Sequence, residues 1–359
     1  MKLIRMTFNR IIIAGIVSVL LYSCSNESPN DFPLGNFTKI HNVKSKLLNI
    51  DPFKLTSSGS MIMFEDEECL IKEESKSSYS LSKIYYNKDS VVHLATIGNG
   101  PNEFLRLILM NKKSRTSFLA IEVLKQKIYD ISLDGKYTFK NKIDIFSNSV
   151  VSMNQRFYGQ GVSSNIKITD SKWFIAFDST GTIINQFGDF PDDKISSSTP
   201  NKHMAYQGKM IINERLNRFA FTSYNCAVLE VFESDSLIIA RHDKLPQYFE
   251  VSGNNVIGVS FSPENIRGYM DSYSTDKFIY TLYSGKSTKD LTNRNFDDVS
   301  SSKIILVYDW DGNPICRINT DIDLRNICVN NDNTSLIGLA CEKDYALCQF
   351  DLTNIIELQ

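Results

Sequence analysis

Lys127 to Lys140 reads KIYDISLDGKYTFK, and its two halves carry the same pattern. Tyr129, Ile131 and Leu133 alternate with Asp130, Ser132 and Asp134; beyond Asp134-Gly135, Tyr137 and Phe139 alternate with Lys136, Thr138 and Lys140. Period-two alternation on both sides of Asp-Gly predicts a β-hairpin, with the pair forming a type I′ turn. The same unit returns around Thr180-Gly181 and Asp311-Gly312, and in looser form around Lys88-Asp89 and Ser234-Asp235. Asp89 to Gly135 is 46 residues, Gly135 to Gly181 is 46, and the next gap, to Asp235, is 54. The last gap, 77 residues to Gly312, holds a polar insertion from about Ser284 to Ser302. A period of 45 to 50 residues with about four short strands per unit is the signature of a β-propeller blade.

Four strands are expected in each of five units, beginning near Leu47, Phe104, Ser147, Tyr206 and Asn255. A sixth unit starts near Ile322 and supplies three strands, so its outer strand is expected from the N-terminal segment Phe37 to Val43. Closure by both chain ends leaves no half-finished sheet. Pro314 fits an outermost strand, where a missing N–H is tolerated. The fold class is therefore all-β: a six-bladed β-propeller of four-stranded antiparallel blades, the last closed by the N-terminal strand. A β-sandwich is the competing architecture, but it has no reason to repeat at a fixed spacing.

The chain has 359 residues, 42% of them hydrophobic, which is enough to build a large core. With 39 basic against 41 acidic side chains and no basic stripe, nucleic acid is not an expected partner. Lys2, Arg5 and Arg10 precede an apolar run, Ile11 to Tyr22, that is too short to span a bilayer and reads as a signal peptide. Its end, Leu21-Tyr22-Ser23-Cys24, resembles a bacterial lipobox, which implies lipid attachment at Cys24. Each buried lipid methylene contributes about 0.8 kcal/mol to anchoring. The expected organisation is a lipoprotein signal peptide over 1–23, a tether over 24–35 rich in polar residues and proline, and the propeller over 36–359. Ser25, rather than Asp, after the lipid cysteine suggests delivery to the outer membrane by analogy with known sorting rules.

Three segments resemble the TolB-like six-bladed propeller lipoproteins. Ile97 to Phe104 (IGNGPNEF) looks like the Gly-x-Gly-Pro-x-Glu-Phe turn after their first blade. Ile279 to Lys286 (IYTLYSGK) and Val307 to Pro314 (VYDWDGNP) are similar to consecutive hairpins of the fifth blade. The resemblance implies an exported, lipid-anchored propeller in the cell envelope and implies no particular chemistry.

No motif in the chain announces catalysis. Gly285-Lys286-Ser287 lacks the earlier glycine of a phosphate loop, and Asp309 to Asn313 lacks the outer carboxylates of a calcium loop. His41, His93, His203 and His242 are far apart and are expected to face solvent; no His-Glu-x-x-His or Gly-x-Ser-x-Gly occurs. Six cysteines remain after Cys24, without a Cys-x-x-Cys; only Cys341 and Cys348, flanking a turn, are placed to approach as a disulfide. No metal or cofactor is expected. The innermost strands read as LRLILMN, SVVSMN, GKMIIN and RGYMDSYS, mostly apolar but carrying Arg106, Lys209, Arg267 and Asp271. That cationic lean favours an anionic ligand. Arg267 and Tyr269, at the start of the fifth innermost strand, are candidate ligand contacts, as are Arg106 and the loop residues Asn99 and Glu103. For that loop the competing expectation is a tight crossover in which Glu103 accepts backbone N–H bonds.

The expected function is a lipid-anchored binding or scaffold module for a peptide, glycan or protein partner, without catalytic activity. The polar insertion is the candidate protein contact. The alternative is a propeller hydrolase or lyase acting on an anionic carbohydrate or lactone.

Overall fold

The computed structural model describes residues 33–55, 59–74, 77–100, 103–163, 172–251, 258–291, 300–341 and 344–355. The signal peptide and Cys24 lie outside these residues, as does the central part of the insertion, 292–299. Of the expected tether, Leu34 and Gly35 belong to a single 3-10 turn, Leu34–Asn36. No helix among the described residues is long and apolar enough to cross a membrane.

The architecture is an all-β propeller. Four sheets each string four antiparallel strands in chain order, the first with the two-residue Glu103–Phe104 added in parallel at its outer edge. The first begins at Met61–Phe64, the second at Leu107–Lys112, the third at Phe146–Met153 and the fourth at Gly208–Asn213. A fifth unit runs Tyr269–Ser274, Phe278–Tyr283, Ser302–Asp309 and the first half of the long strand Pro314–Val329. That strand then changes partner: Leu324 to Val329 pair with Ser335–Cys341, which pairs with Tyr345–Asp351. One strand thus ends one unit and starts the next. The starting strands contact one another in chain order, and the last touches the first.

Burial falls from the axis outwards, as stacked sheets require. Second and third strands such as Arg218–Ser223 and Ala227–Glu233 are almost wholly buried, whereas fourth strands such as Ser236–Lys244 alternate with solvent. Apolar clusters fill the wedge between each sheet and the next. The wedge between the third and fourth is aromatic, with Trp173, Phe174 and Phe187 against Phe219, Phe221 and Phe232; Phe219 stacks on Phe232 with ring centroids 4.9 Å apart. A further cluster joins Met61, Met63 and Leu70 of the first sheet to Cys328, Ile337 and Leu347 of the last.

Every hairpin turn read from the sequence falls between two paired strands, but the turn type differs from expectation. Only the glycine has positive φ (+85° at Gly135, +83° at Gly181, +75° at Gly312), whereas a type I′ turn needs two such residues. Gly135 N–H donates to Ser132 O and Ser132 N–H to Lys136 O, the pattern of a type I turn followed by a left-handed bulge glycine. Gly181 and Gly312 repeat it, with Asp178 and Asp309 in the place of Ser132. A turn with two positive φ values occurs instead at Asn154-Gln155 (+51° and +65°).

The N-terminal closure is also corrected. Ile40–Val43 pairs in parallel with Arg317 to Thr320, covering the outer edge of the fifth unit beyond Pro314. The strand that flanks the last unit is the two-residue Lys46–Leu47, antiparallel to Cys348–Gln349. Leu47 therefore belongs to the last sheet, and the first begins at Met61. The expected start near Asn255 falls outside the described residues; the fifth innermost strand begins at Tyr269, after an added hairpin of Tyr248–Glu250 and Val259–Phe261. Cys341 faces Tyr345 and Cys348 faces Gly338, so the register does not set the two cysteines opposite each other.

Candidate functional site

An innermost strand has no partner towards the axis, so its backbone groups on that side must find other acceptors and donors. Side chains of the preceding sheet supply them. Leu109 N–H donates to Glu73 Oε1 (2.6 Å), Ser152 N–H to Asn111 Oδ1 (2.8 Å) and Met210 N–H to Ser149 Oγ (2.7 Å). Ile327 N–H donates to Asp271 Oδ2 (2.9 Å), and Asn326 Nδ2 closes the circuit by donating to Gly59 O (2.9 Å). This polar belt holds the starting strands together and places two carboxyl groups, Glu73 and Asp271, at the axis.

Two cavities lie on either side of the belt and share Ser60. One, of about 390 Å³, opens where the innermost strands end, near Asn111, Asn213 and Thr275. The other, of about 310 Å³, opens where they begin, and it gathers Arg106, Arg267, Arg325, Glu73 and Tyr224. Lys209 lies between, with Nζ 2.6 Å from Asp271 Oδ1.

The chain path explains why the arginines converge. Each stands at the entry to an innermost strand, where successive crossovers meet the axis. Arg106 precedes Leu107–Lys112 and is exposed. Arg267 precedes Tyr269–Ser274 and is held from behind: its Nη1 donates to Asn225 Oδ1 (2.8 Å), while Asn225 Nδ2 is anchored on Ala205 O (3.1 Å). Gly268 permits this approach, because a Cβ there would fall 1.7 Å from the Cys226 carbonyl oxygen. Arg325 is nearly buried within the last starting strand.

Two of the charges at this mouth are not cancelled by a described neighbour. Among the described residues, neither Arg106 nor Arg267 forms an ion pair, and Arg267 Nε is buried without a hydrogen-bond partner. Burial pulls the Arg267 pKa down, and no acidic neighbour opposes it. The opposing carboxyl is Glu73. Its burial pushes the pKa up to about 7, against the Leu109 N–H and the charges of Lys209 and Arg106; Asp271 adds to the rise. Lys72, also buried, is neutralised by Glu74 at 2.6 Å. The mouth is therefore a recess of guanidinium groups facing one carboxyl that is half protonated near neutrality, an arrangement suited to receiving an anion.

The expected site residues separate into two groups. Arg106 and Arg267 come together in the recess. Asn99 is exposed on the crossover after the first sheet, and Glu103 folds back to accept the Gly100 N–H (2.7 Å), outside the described cavities. Tyr269 is fully buried between the fourth and fifth units, its hydroxyl 3.1 Å from that of Tyr308, so it packs sheets and does not face the recess. The expectation of solvent-facing histidines fails for His203, which is 7% exposed on the buried face of the helix Thr199–Ala205 and packs edge-on to Phe190. Arg325, Glu73 and Tyr224 were not legible as site residues. Glu73 sits on a second strand inside the charged run KEESK, and only the sheet register turns it to the axis.

Among the described residues, no three His, Cys, Asp or Glu side chains converge as a metal site. A family model described as TolB-like 6-blade propeller-like matches residues 33–332. The chain is similar in structure to a member of the DUF4221 family from Bacteroides vulgatus ATCC 8482 (12% identity, TM-score 0.53, covering 86% of this chain and 96% of that one). It is also similar to a protein from Bacteroides fragilis NCTC 9343 (11% identity, TM-score 0.52, covering 87% and 99%). At these identities the likenesses show the fold alone. No curated protein matches the sequence.

Proposed function

This chain belongs to the TolB-like 6-blade propeller-like family, and from that premise we propose that it is a binding module of the cell envelope that takes an anionic group of its partner into the arginine recess. The six-bladed reading is supported by the closed order of contacts among starting strands and by the cluster that joins the last sheet to the first. The envelope address rests on the signal-peptide pattern and on Cys24 as the lipid attachment point, with an outer-membrane destination. The observation that carries the binding role is Arg267: a buried guanidinium held by Asn225, with an unbonded Nε and no acidic counter-charge among the described residues.

Calorimetric titration of the full-length protein with acetate and with glucuronate, against uncharged glucose, tests the reading. Both anions are expected to bind and glucose is not. Arg267→Gln is expected to weaken anion binding about tenfold, the scale of one charge-assisted hydrogen bond. Equal heats for glucose and glucuronate, or an unchanged affinity in the variant, would remove the anion reading.

A further inference from the structure

We infer that the arginine recess is one half of a two-part site, and that its ligand is the C-terminal end of a peptide with an apolar last residue; this rests on the anion-binding reading above. The second half is a cavity of about 340 Å³ that shares Tyr224 with the recess. Each lies within the roughly 300–1,000 Å³ range of ligand sites, and together they remain inside it. The two walls differ in chemistry. Beyond Tyr224, the second cavity carries no charged residue among the described ones: Val123, Val162, Pro200 and Met204 give it an apolar surface, with Gln160 and Gln207 as amides. His203 does not alter this, because burial lowers its pKa to about 4 and keeps the ring neutral at physiological pH. Gln160 is fixed by donating Nε2 to Tyr206 O (2.8 Å), which leaves its Oε1 as an acceptor for a ligand N–H.

A carboxylate among guanidinium groups, followed within one residue by an amide and an apolar side chain, matches that sequence of surfaces. An acidic glycan fits less well. It would need polar side chains and aromatic faces along its length, and among the described residues Tyr224 is the only Phe, Tyr or Trp lining either cavity. The site geometry depends on the recess for charge and on the adjoining cavity for selectivity.

The test uses the full-length protein and three probes: acetate, N-acetyl-alanyl-leucine, and the C-terminal amide of that dipeptide. The dipeptide acid is expected to bind at least tenfold more tightly than acetate, and amidation to abolish that binding. Gln207→Trp, at an exposed position lining the second cavity, is expected to reduce the dipeptide to the affinity of acetate while leaving acetate unchanged. If acetate binds and the dipeptide binds no better, the two-part site is wrong and the anion reading stands. If glucuronate binds more tightly than the dipeptide acid, the ligand is a glycan and the peptide inference falls. If no anion binds, the underlying reading itself fails. The acid-to-amide comparison needs no variant, so it decides the inference even if Gln207→Trp perturbs folding.

Discussion

The two ends of the propeller axis are built from the same strands and differ in how completely their polar groups are used. Where the starting strands end, several polar side chains stitch one sheet to the next. Asn213 Nδ2 donates to Asp276 O (2.9 Å) and Ser274 Oγ to Ile212 O (2.9 Å), while Asn333 Oδ1 accepts from both Thr275 and Tyr280. Where the strands begin, the recess leaves Arg267 Nε and Asn326 Oδ1 buried and unpaired. A folded chain tolerates such groups at a cost of roughly 1–3 kcal/mol each, so they mark a place that something else completes. The satisfied end is structure. On the reading proposed above, the unsatisfied end is where a partner gains by binding.

The belt between the two ends gives the strongest way to break this contrast. Asp271 both neutralises Lys209 and accepts the Ile327 N–H, and its side chain is almost fully buried. Asp271→Ala strands a cation and an N–H together and is expected to cost about 3 kcal/mol or more, read from the urea midpoint. A loss below about 1 kcal/mol would show that the belt does not hold the axis.

Glu73 sharpens the contrast through pH. Its folded pKa of about 7 exceeds the ordinary 4.5, so the folded state holds its proton more tightly than the unfolded chain. That stabilisation is complete below pH 4.5 and is lost as pH rises through 7, a swing of about 3 kcal/mol. The groups facing this carboxyl are Arg106, Lys209 and Asp271, with Arg325 lining the same recess. Glu73→Gln retains an acceptor for Leu109 N–H without the titration, so it is expected to exceed wild type by about 3 kcal/mol at pH 8 and to match it near pH 4. Parallel stability profiles for the two proteins would mean that Glu73 is solvated, and that the recess is less cationic than described.

How far the sequence carried these features follows from their physics. Hairpins are local: alternation and a turn glycine specify them within 14 residues, as Lys127 to Lys140 shows. The entry positions of Arg106 and Arg267 were legible because they abut strands recognisable by pattern. Turn type was not, since Asp-Gly is compatible with both a type I′ turn and a type I turn with a bulge; the hydrogen bonds of Ser132 and Lys136 decide between them. Closure was misplaced by a few residues because Ile40–Val43 and Lys46–Leu47 are both short and extended, and only pairing across about 280 to 300 residues distinguishes them. Tyr269 was assigned to the wrong face because it shares parity with Arg267 and Asp271, and only the register shift between Tyr269 and Asp271 breaks that alternation.

The smallest effect is expected at the satisfied end, and there it discriminates most. Asn111 Oδ1 accepts the Ser152 N–H at 2.8 Å, and its Nδ2 donates to Lys112 O at 3.0 Å. Asn111→Ala removes one inter-sheet hydrogen bond and is expected to cost about 1 kcal/mol of stability. Acetate affinity should not change, because the residue lines the other cavity and not the one formed by Arg106, Arg267 and Arg325. Arg267→Gln should show the opposite pair of effects, an affinity loss with little change in the urea midpoint, since that guanidinium has a neutral partner and an unbonded nitrogen to lose. If both variants moved stability and affinity together, the axis would act as one coupled unit, and assigning structure to one mouth and binding to the other would no longer hold.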